Sequence, residues 1–356
     1  LPVLPVSVAS AASVATGVLV APIALRAAHR HTQSWSFPMA LPAPLRGVVP
    51  PVCTPLDSEG GIDRASLARL VEHLIRGGVH GLFALGSTGE VVYLTDAQRR
   101  TVLDTVVTAA AGRVPVLAGV LDTTTPRVLE HARVAAEAGV DALVATAPFY
   151  TRTHPLEIAA HFRRIRSECG LPLFAYDIPV SVGTKLSTDL VYALALDGIL
   201  AGVKDSSGDE GGLRRLITAL GGADRARGGA PGFSVLTGGE LTVDAALLAG
   251  ADGVVPGLGN VDPDAYVRLH TAARGGDWSL ASAEQERLVS LFAIADVGPE
   301  DRMGRSSSAL GGFKAALRLL GVIEEQATAF PQIPLDAAAV ERVAELLADA
   351  GLGTAR

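Results

Sequence analysis

Lysine occurs three times in this chain, at Lys185, Lys204 and Lys314, among 30 basic residues. Arginine supplies positive charge almost everywhere else. A lysine kept against that habit points to chemistry a guanidinium cannot do, because an amine can shed its proton and attack a carbonyl. Lys204 follows the apolar run Ile199–Val203 and precedes Asp205-Ser206-Ser207-Gly208. At the end of a buried strand it would face a mostly apolar interior, which favours the free amine over the ammonium. The competing reading is an ion pair with a carboxylate such as Asp205. Tyr176 closes a second apolar run, Leu171–Ala175, where a phenol could move protons or simply pack with a satisfied hydroxyl. Gly86-Ser87-Thr88-Gly89-Glu90 follows a third run. Two hydroxyls between glycines, with the N–H groups around them, can hold one small anion without an arginine. The alternative there is a Ser/Thr turn that caps the next helix.

Such groups need a sheet to present them. From Gly47 onward, strand-type runs occur at 47–54, 79–86, 114–120, 141–147, 171–176, 199–204, 233–238 and 252–257. Helical patterns lie between them, at 62–77, 95–111, 126–138, 155–168, 187–196, 210–220, 240–249 and 262–274. Thr95 with Gln98 three residues on reads as a capping box. Strict alternation implies a parallel sheet, and eight units in about 230 residues match a (β/α)8 TIM barrel. The open alternative, a doubly wound sheet, would usually carry a glycine-rich nucleotide loop after its first strand. Here that strand runs into Cys53-Thr54-Pro55-Leu56-Asp57, with neither GxGxxG nor GxxxxGK. The expected organisation is an extension outside the fold (1–45), a catalytic barrel (46–275) and a C-terminal helical appendage (276–356). The appendage carries patterns at 278–295, 305–320 and 336–350, the middle one weakened by Gly311-Gly312.

Composition narrows the function further. Net charge is −7, against the basic face of a nucleic-acid binder. Two cysteines, Cys53 and Cys169, exclude a disulfide framework or a multi-cysteine zinc site. Leu1–Leu25 is uncharged, but Pro2, Pro5 and Pro22 interrupt it and no basic segment precedes it. It reads as neither a membrane span nor a secretory signal, so a cytoplasmic location is expected. The eight histidines form no HExxH, so neither metal nor cofactor is expected. The strand 7 and 8 loops, Thr237-Gly238-Gly239-Glu240 and Pro256-Gly257, could hold a phosphate or clear space for a substrate tail.

Three motifs in this order and spacing, GSTGE at 86–90, YDIP at 176–179 and GVKDSSGD at 202–209, resemble the dihydrodipicolinate synthase / N-acetylneuraminate lyase family of Schiff-base aldolases. The likeness spans roughly residues 46–350 and includes Thr54–Asp63, Ala147–Arg152 and Leu247–Val255. It implies that Lys204 forms an imine with pyruvate or another 2-oxo acid. Tyr176 and Ser87 would then relay protons, and Gly86, Ser87 and Thr88 would seat the carboxylate. Tyr150 resembles the family's second relay tyrosine near a dimer interface, which implies a homodimer or homotetramer. Ser181, Gly238, Glu240 and Val255 would line the remaining substrate.

The departures bear on substrate. Where the synthases carry an arginine for the second substrate's carboxylate, this chain has Ser181; Arg152 is the nearest candidate to compensate. The synthases' lysine-feedback pocket is not matched at Val92, Thr123, Arg127 and Phe149, and only Glu240 remains of the sialic acid lyases' acidic pair. Asp177 stands where the family usually has asparagine. The expected reaction is reversible aldol cleavage of a hydroxylated 2-oxo acid, of 4-hydroxy-2-oxoglutarate or 2-keto-3-deoxy sugar acid type. Condensation of pyruvate with aspartate semialdehyde is the alternative within the class, and a dehydratase using the same imine is the third reading. A barrel for phosphorylated substrates and an inactive binding protein are the rivals outside the class.

Overall fold

A computed structural model describes residues 41–222 and 229–353. Most of the expected extension, residues 1–40, lies outside the described residues.

Eight short parallel strands form one sheet: β1 (Gly47–Val48), β2 (Leu82–Ala84), β3 (Val116–Gly119), β4 (Ala142–Ala145), β5 (Leu173–Asp177), β6 (Gly202–Asp205), β7 (Ser234–Thr237) and β8 (Gly253–Val254). Their order is β1-β8-β7-β6-β5-β4-β3-β2, with sequential neighbours throughout and β1 registered on β8. Pro50 and Pro51 lack N–H groups, so β1 stops after two residues. The chain beyond it still reaches β2: His80 N–H donates to the Val48 carbonyl (2.8 Å), and Phe83 N–H to that of Pro50 (3.0 Å). Val52 N–H returns the bond to Phe83 (2.9 Å). Consecutive order and this contact between first and second strands define a TIM-barrel-like α/β fold and exclude the doubly wound sheet.

The crossover helices are α1 (Arg64–Arg76), α2 (Asp96–Ala110), α3 (Thr125–Ala138), α4 (Pro155–Cys169), the single turn α5 (Pro179–Val182), α6 (Thr188–Leu196), α7 (Glu210–Ala219), α8 (Val243–Leu248) and α9 (Pro263–Gly275). Side-chain caps fix where several begin. Asp63 accepts from Ser66 N–H, and Thr95 and Gln98 form the reciprocal capping box expected from their spacing. Glycine is required where backbones nearly touch. A Cβ on Gly253 would stand 2.0 Å from the Gly47 carbonyl oxygen, and one on Gly119 would stand 1.9 Å from that of Leu85.

Three helices follow, α10 (Trp278–Phe292), α11 (Arg305–Leu319) and α12 (Ala337–Asp349). The Gly311-Gly312 pair does not interrupt α11. A Cβ on Gly312 would lie 2.2 Å from the Ile294 carbonyl oxygen, and one on Gly311 would lie 2.9 Å from Leu335. Close packing explains a pair that helix propensity alone counts as a weakness. Among the described residues, no helix is long and apolar enough to cross a membrane.

Two buried histidines give this fold an acid limit. His161 donates to or accepts from the Thr125 hydroxyl (2.9 Å), and His270 packs edge-on against His80 at 5.2 Å. Burial pulls the pKa of each from 6.5 to about 4; the charges of His80 and Arg274 add to the effect at His270. The folded value lies below the unfolded one. Their contribution is therefore intact above pH 6.5 and is lost as pH falls toward 4. Linkage for a shift of this size gives a loss of about 2 kcal/mol per histidine by about pH 5. Urea unfolding of His270→Leu should accordingly lose about 2 kcal/mol less than wild type between about pH 7 and about pH 5. An unchanged slope would contradict the assignment.

Candidate active site

The carboxyl ends of β2, β5 and β6 converge on one amine. Tyr176 and Lys204 are register partners on adjacent strands, so their side chains project together from the sheet. Both are buried. Lys204 Nζ lies 4.2 Å from the centre of the Tyr176 ring and 5.1 Å from that of Phe83. Phe83 meets Tyr176 edge-on at 6.2 Å. Among the described residues, no carboxylate forms an ion pair with Lys204. Asp205 points to the other face of the strand, as alternation requires, and accepts from Ser207 N–H (2.8 Å). The ion-pair reading of Lys204 therefore fails.

The same test corrects the argument from lysine scarcity. Lys314 pairs with Glu90, both fully buried, and Lys185 pairs with Asp177. Two of three lysines are thus held by carboxylates, and rarity alone did not mark the amine. Burial without an ion pair is what sets Lys204 apart from the other two.

The turn after β2 leaves two backbone donors open. Gly89 N–H donates to the Gly86 carbonyl (3.0 Å) and Glu90 N–H to that of Ser87 (3.0 Å). These bonds leave the N–H groups of Ser87 and Thr88 without a protein acceptor among the described residues. A Cβ on Gly86 would press 2.8 Å against the Phe83 ring, so only glycine lets the turn sit this low. Ser87 is exposed and its Oγ lies 3.4 Å from the Tyr176 hydroxyl. The Thr54 hydroxyl secures the turn from below by donating to the Gly89 carbonyl (2.8 Å).

Among the described residues, the other expected site residues make no hydrogen bond to this trio. Tyr150 is 96% exposed, with a left-handed φ of +71°. Among the described residues, no hydrogen bond or ring contact joins it to Tyr176. Ser181 and Arg152 are exposed. Gly238 follows β7, its N–H bonded to the Asp205 carbonyl (2.6 Å), and a Cβ there would meet Ser206 Oγ at 2.0 Å. Val255 is buried just past β8. The Glu240 carboxylate accepts from Leu258 N–H (2.8 Å) and the Tyr266 hydroxyl (3.0 Å), which anchors the β8 loop. Burial raises its pKa, opposed by those donors, Gly257 N–H and the Lys204 charge. Among the described residues, no group of three or more His, Cys, Asp or Glu could hold a metal ion.

Several positioning residues escaped the sequence reading. Glu90 holds a left-handed φ of +58°; its Oε2 accepts from Ala329 N–H (2.6 Å) and the Gln332 amide (3.0 Å). Lys314 also donates to the Ala327 carbonyl (2.7 Å). Asn260, fully buried, accepts from Cys53 N–H (3.0 Å) and donates to the carbonyls of Pro51 and Gly257 (2.9 Å each), sewing the ends of β1 and β8 together. Asp177 accepts from Lys185 and from Leu186 N–H (3.0 Å). Burial raises the Asp177 pKa, and these two donors oppose the rise.

A barrel-like parallel α/β chain with a buried amine outside any ion pair, a phenol beside it and a turn with two open N–H donors has the parts that imine chemistry on a small keto acid would use. The sequence profile of the dihydrodipicolinate synthetase family matches residues 44–350, and the chain belongs to that family of lyases. It is 33% identical over 311 residues to a 4-hydroxy-tetrahydrodipicolinate synthase of Phenylobacterium zucineum, covering 86% of this chain and 98% of the relative. It is 32% identical over 249 residues to the probable 2-dehydro-3-deoxy-D-pentonate aldolase YjhH of Escherichia coli, covering 70% and 81%. The crystal structure of YagE from E. coli K12, in complex with pyruvate, superposes with a TM-score of 0.78 at 28% identity, covering 86% and 99%.

The Glu90–Lys314 pair generates a direct test. Truncating one partner leaves a buried charge alone, which costs about 3–5 kcal/mol; removing both charges is far cheaper. Glu90→Gln and Lys314→Met should each lower the urea midpoint strongly, and the double variant should recover most of the loss. Additive losses in the double variant would show that the two charges do not depend on each other.

Proposed function

We propose that the chain is a class I lyase whose Lys204 condenses with the keto carbon of pyruvate, or of a 2-oxo acid that yields pyruvate. The observation that carries this reading is the Lys204 amine, buried, free of any carboxylate among the described residues and 4.2 Å from the Tyr176 ring. Nζ attacks C2 of the keto acid to give a carbinolamine. Loss of water gives the imine. In the cleavage direction, the C4 hydroxyl gives up its proton and the C3–C4 bond breaks. Its electron pair passes into the protonated imine as an enamine, and an aldehyde departs. Tyr176 and Ser87 shuttle the protons, and the Ser87 and Thr88 N–H groups hold the carboxylate. No metal or cofactor enters this scheme.

The favoured substrate is a hydroxylated 2-oxo acid. Ser181 offers a hydroxyl where a carboxylate-bearing partner would need a cation, and the aldolase-named relative is consistent with that choice. The synthase-named relative supports the second reading, condensation with aspartate semialdehyde. The exposed Tyr150 suits a homodimer or homotetramer in which a second copy brings it to the relay. A soluble, cytoplasmic enzyme acting on small molecules fits these features.

Incubation with pyruvate and borohydride should fix a reduced pyruvyl adduct on the Lys204 peptide. Lys204→Ala and Lys204→Arg should give none while remaining folded; an adduct on Lys204→Arg would place the imine elsewhere. Tyr176→Phe should slow turnover by about 10²–10⁴, the usual share of general acid–base catalysis. Full turnover would remove Tyr176 from the relay. Ser181→Arg should raise condensation with aspartate semialdehyde. No gain in a folded variant would mean that the missing cation does not limit that reaction.

A further inference from the structure

The loop after β5 is closed by a contact that the reaction itself does not use. Asp177, 2% exposed, follows Tyr176 directly and points to the opposite face of the strand. Eight residues later Lys185 returns to it. The ammonium pairs with Asp177 Oδ2 and donates to the Leu186 carbonyl (3.0 Å), while Leu186 N–H donates to Asp177 Oδ1 (3.0 Å). Both ends of the segment 178–186 are thereby tied to one carboxylate. The Asp177 carbonyl also accepts from Ser206 N–H (2.9 Å), two residues past Lys204. Between the ties the segment is largely open to solvent: Val180 is 89% exposed, and Ser181 is exposed on the α5 turn.

Lys185 is the one basic residue in this segment. Its charge is matched by Asp177, and two of its three donors are engaged. Held in this way, it has little to offer a substrate carboxylate.

We infer that the Asp177–Lys185 pair is a specificity latch: it fixes the β5 loop at the site mouth and neutralises its one cation, so that the enzyme takes aldehydes with neutral, hydroxylated tails. This rests on the proposed lyase reading and narrows it to the 2-keto-3-deoxy sugar acid type, against 4-hydroxy-2-oxoglutarate, whose aldehyde product, glyoxylate, carries a carboxylate. Asp177 and Lys185 are positioning residues and touch neither the imine nor the relay. Breaking the latch from either side loosens the loop, but the two breaks differ in charge. Asp177→Asn frees a lysine, whereas Lys185→Met removes it.

The probes are glycolaldehyde and glyoxylate, two-carbon aldehydes that differ in carrying a hydroxymethyl or a carboxylate, each condensed with pyruvate. Wild type should prefer glycolaldehyde. Asp177→Asn and Lys185→Met should each raise KM for glycolaldehyde roughly tenfold with kcat changed by less than about twofold, the pattern of lost uniform binding. Asp177→Asn alone should also shift kcat/KM toward glyoxylate. Lys185→Arg, which can keep the ion pair, should restore the KM, a result that a general loss of packing would not give. Trapping with pyruvate and borohydride should stay at the wild-type level in all three. Normal trapping with an unchanged glycolaldehyde KM in Lys185→Met overturns the latch. An equal glyoxylate shift in both unlatched variants overturns the charge argument. Absence of a pyruvate adduct in wild type overturns the lyase reading and the latch with it.

Discussion

Two full charges with no exposure to water, Glu90 and Lys314, join the Gly86–Glu90 turn to helix α11. Taking a carboxylate and an ammonium out of water costs several kcal/mol each, and their attraction offsets this only when the remaining lone pairs and protons are satisfied. Here they are largely satisfied: Ala329 N–H and the Gln332 amide meet Glu90, and the Ala327 carbonyl meets Lys314. The result is positional. Glu90 is the last residue of the Gly86–Glu90 turn, so its carboxylate fixes the backbone that leaves the Ser87 and Thr88 N–H groups open. The C-terminal helices are in this way tied to the chemistry at the end of β2, although none of their side chains enters the Lys204–Tyr176–Ser87 trio.

The three lysines divide three tasks by environment. Lys314 is buried against a carboxylate and holds a turn. Lys185 is half-exposed against a carboxylate and closes a loop. Lys204 is buried against two aromatic rings with no carboxylate on it among the described residues. Only the third environment leaves an amine free for covalent chemistry. Register makes the distinction: Lys204 and Tyr176 project from one face of β6 and β5, while Asp205 and Asp177 take the other. A one-residue slip would put the Asp205 carboxylate where the Lys204 amine stands.

The fold was legible because period and punctuation agreed. Apolar runs alternated with amphipathic segments, and the capping box read at Thr95 and Gln98 stands where α2 begins. Reading strand ends singled out Lys204, Tyr176 and the Gly86–Glu90 turn, and the fold brings the three together. Contacts between residues far apart in sequence were not legible. Glu90 pairs with a residue more than 200 positions away, as does Cys53 with Asn260, and no local pattern announces either. Gly311-Gly312 misled for the same reason, since its cause is Ile294 and Leu335 packed against the helix. Asp177 was uninterpretable until Lys185 folded back onto it.

The central claim is that one buried amine and one open turn act on the same small keto acid. A crystal structure of the enzyme soaked with pyruvate tests both together. The account predicts continuous density from Lys204 Nζ to the keto carbon, with the carboxylate on the Ser87 and Thr88 N–H groups and the Tyr176 hydroxyl beside the new bond. Pyruvate bound without a covalent link to Lys204, or bound with its carboxylate away from the Ser87–Thr88 turn, would contradict it.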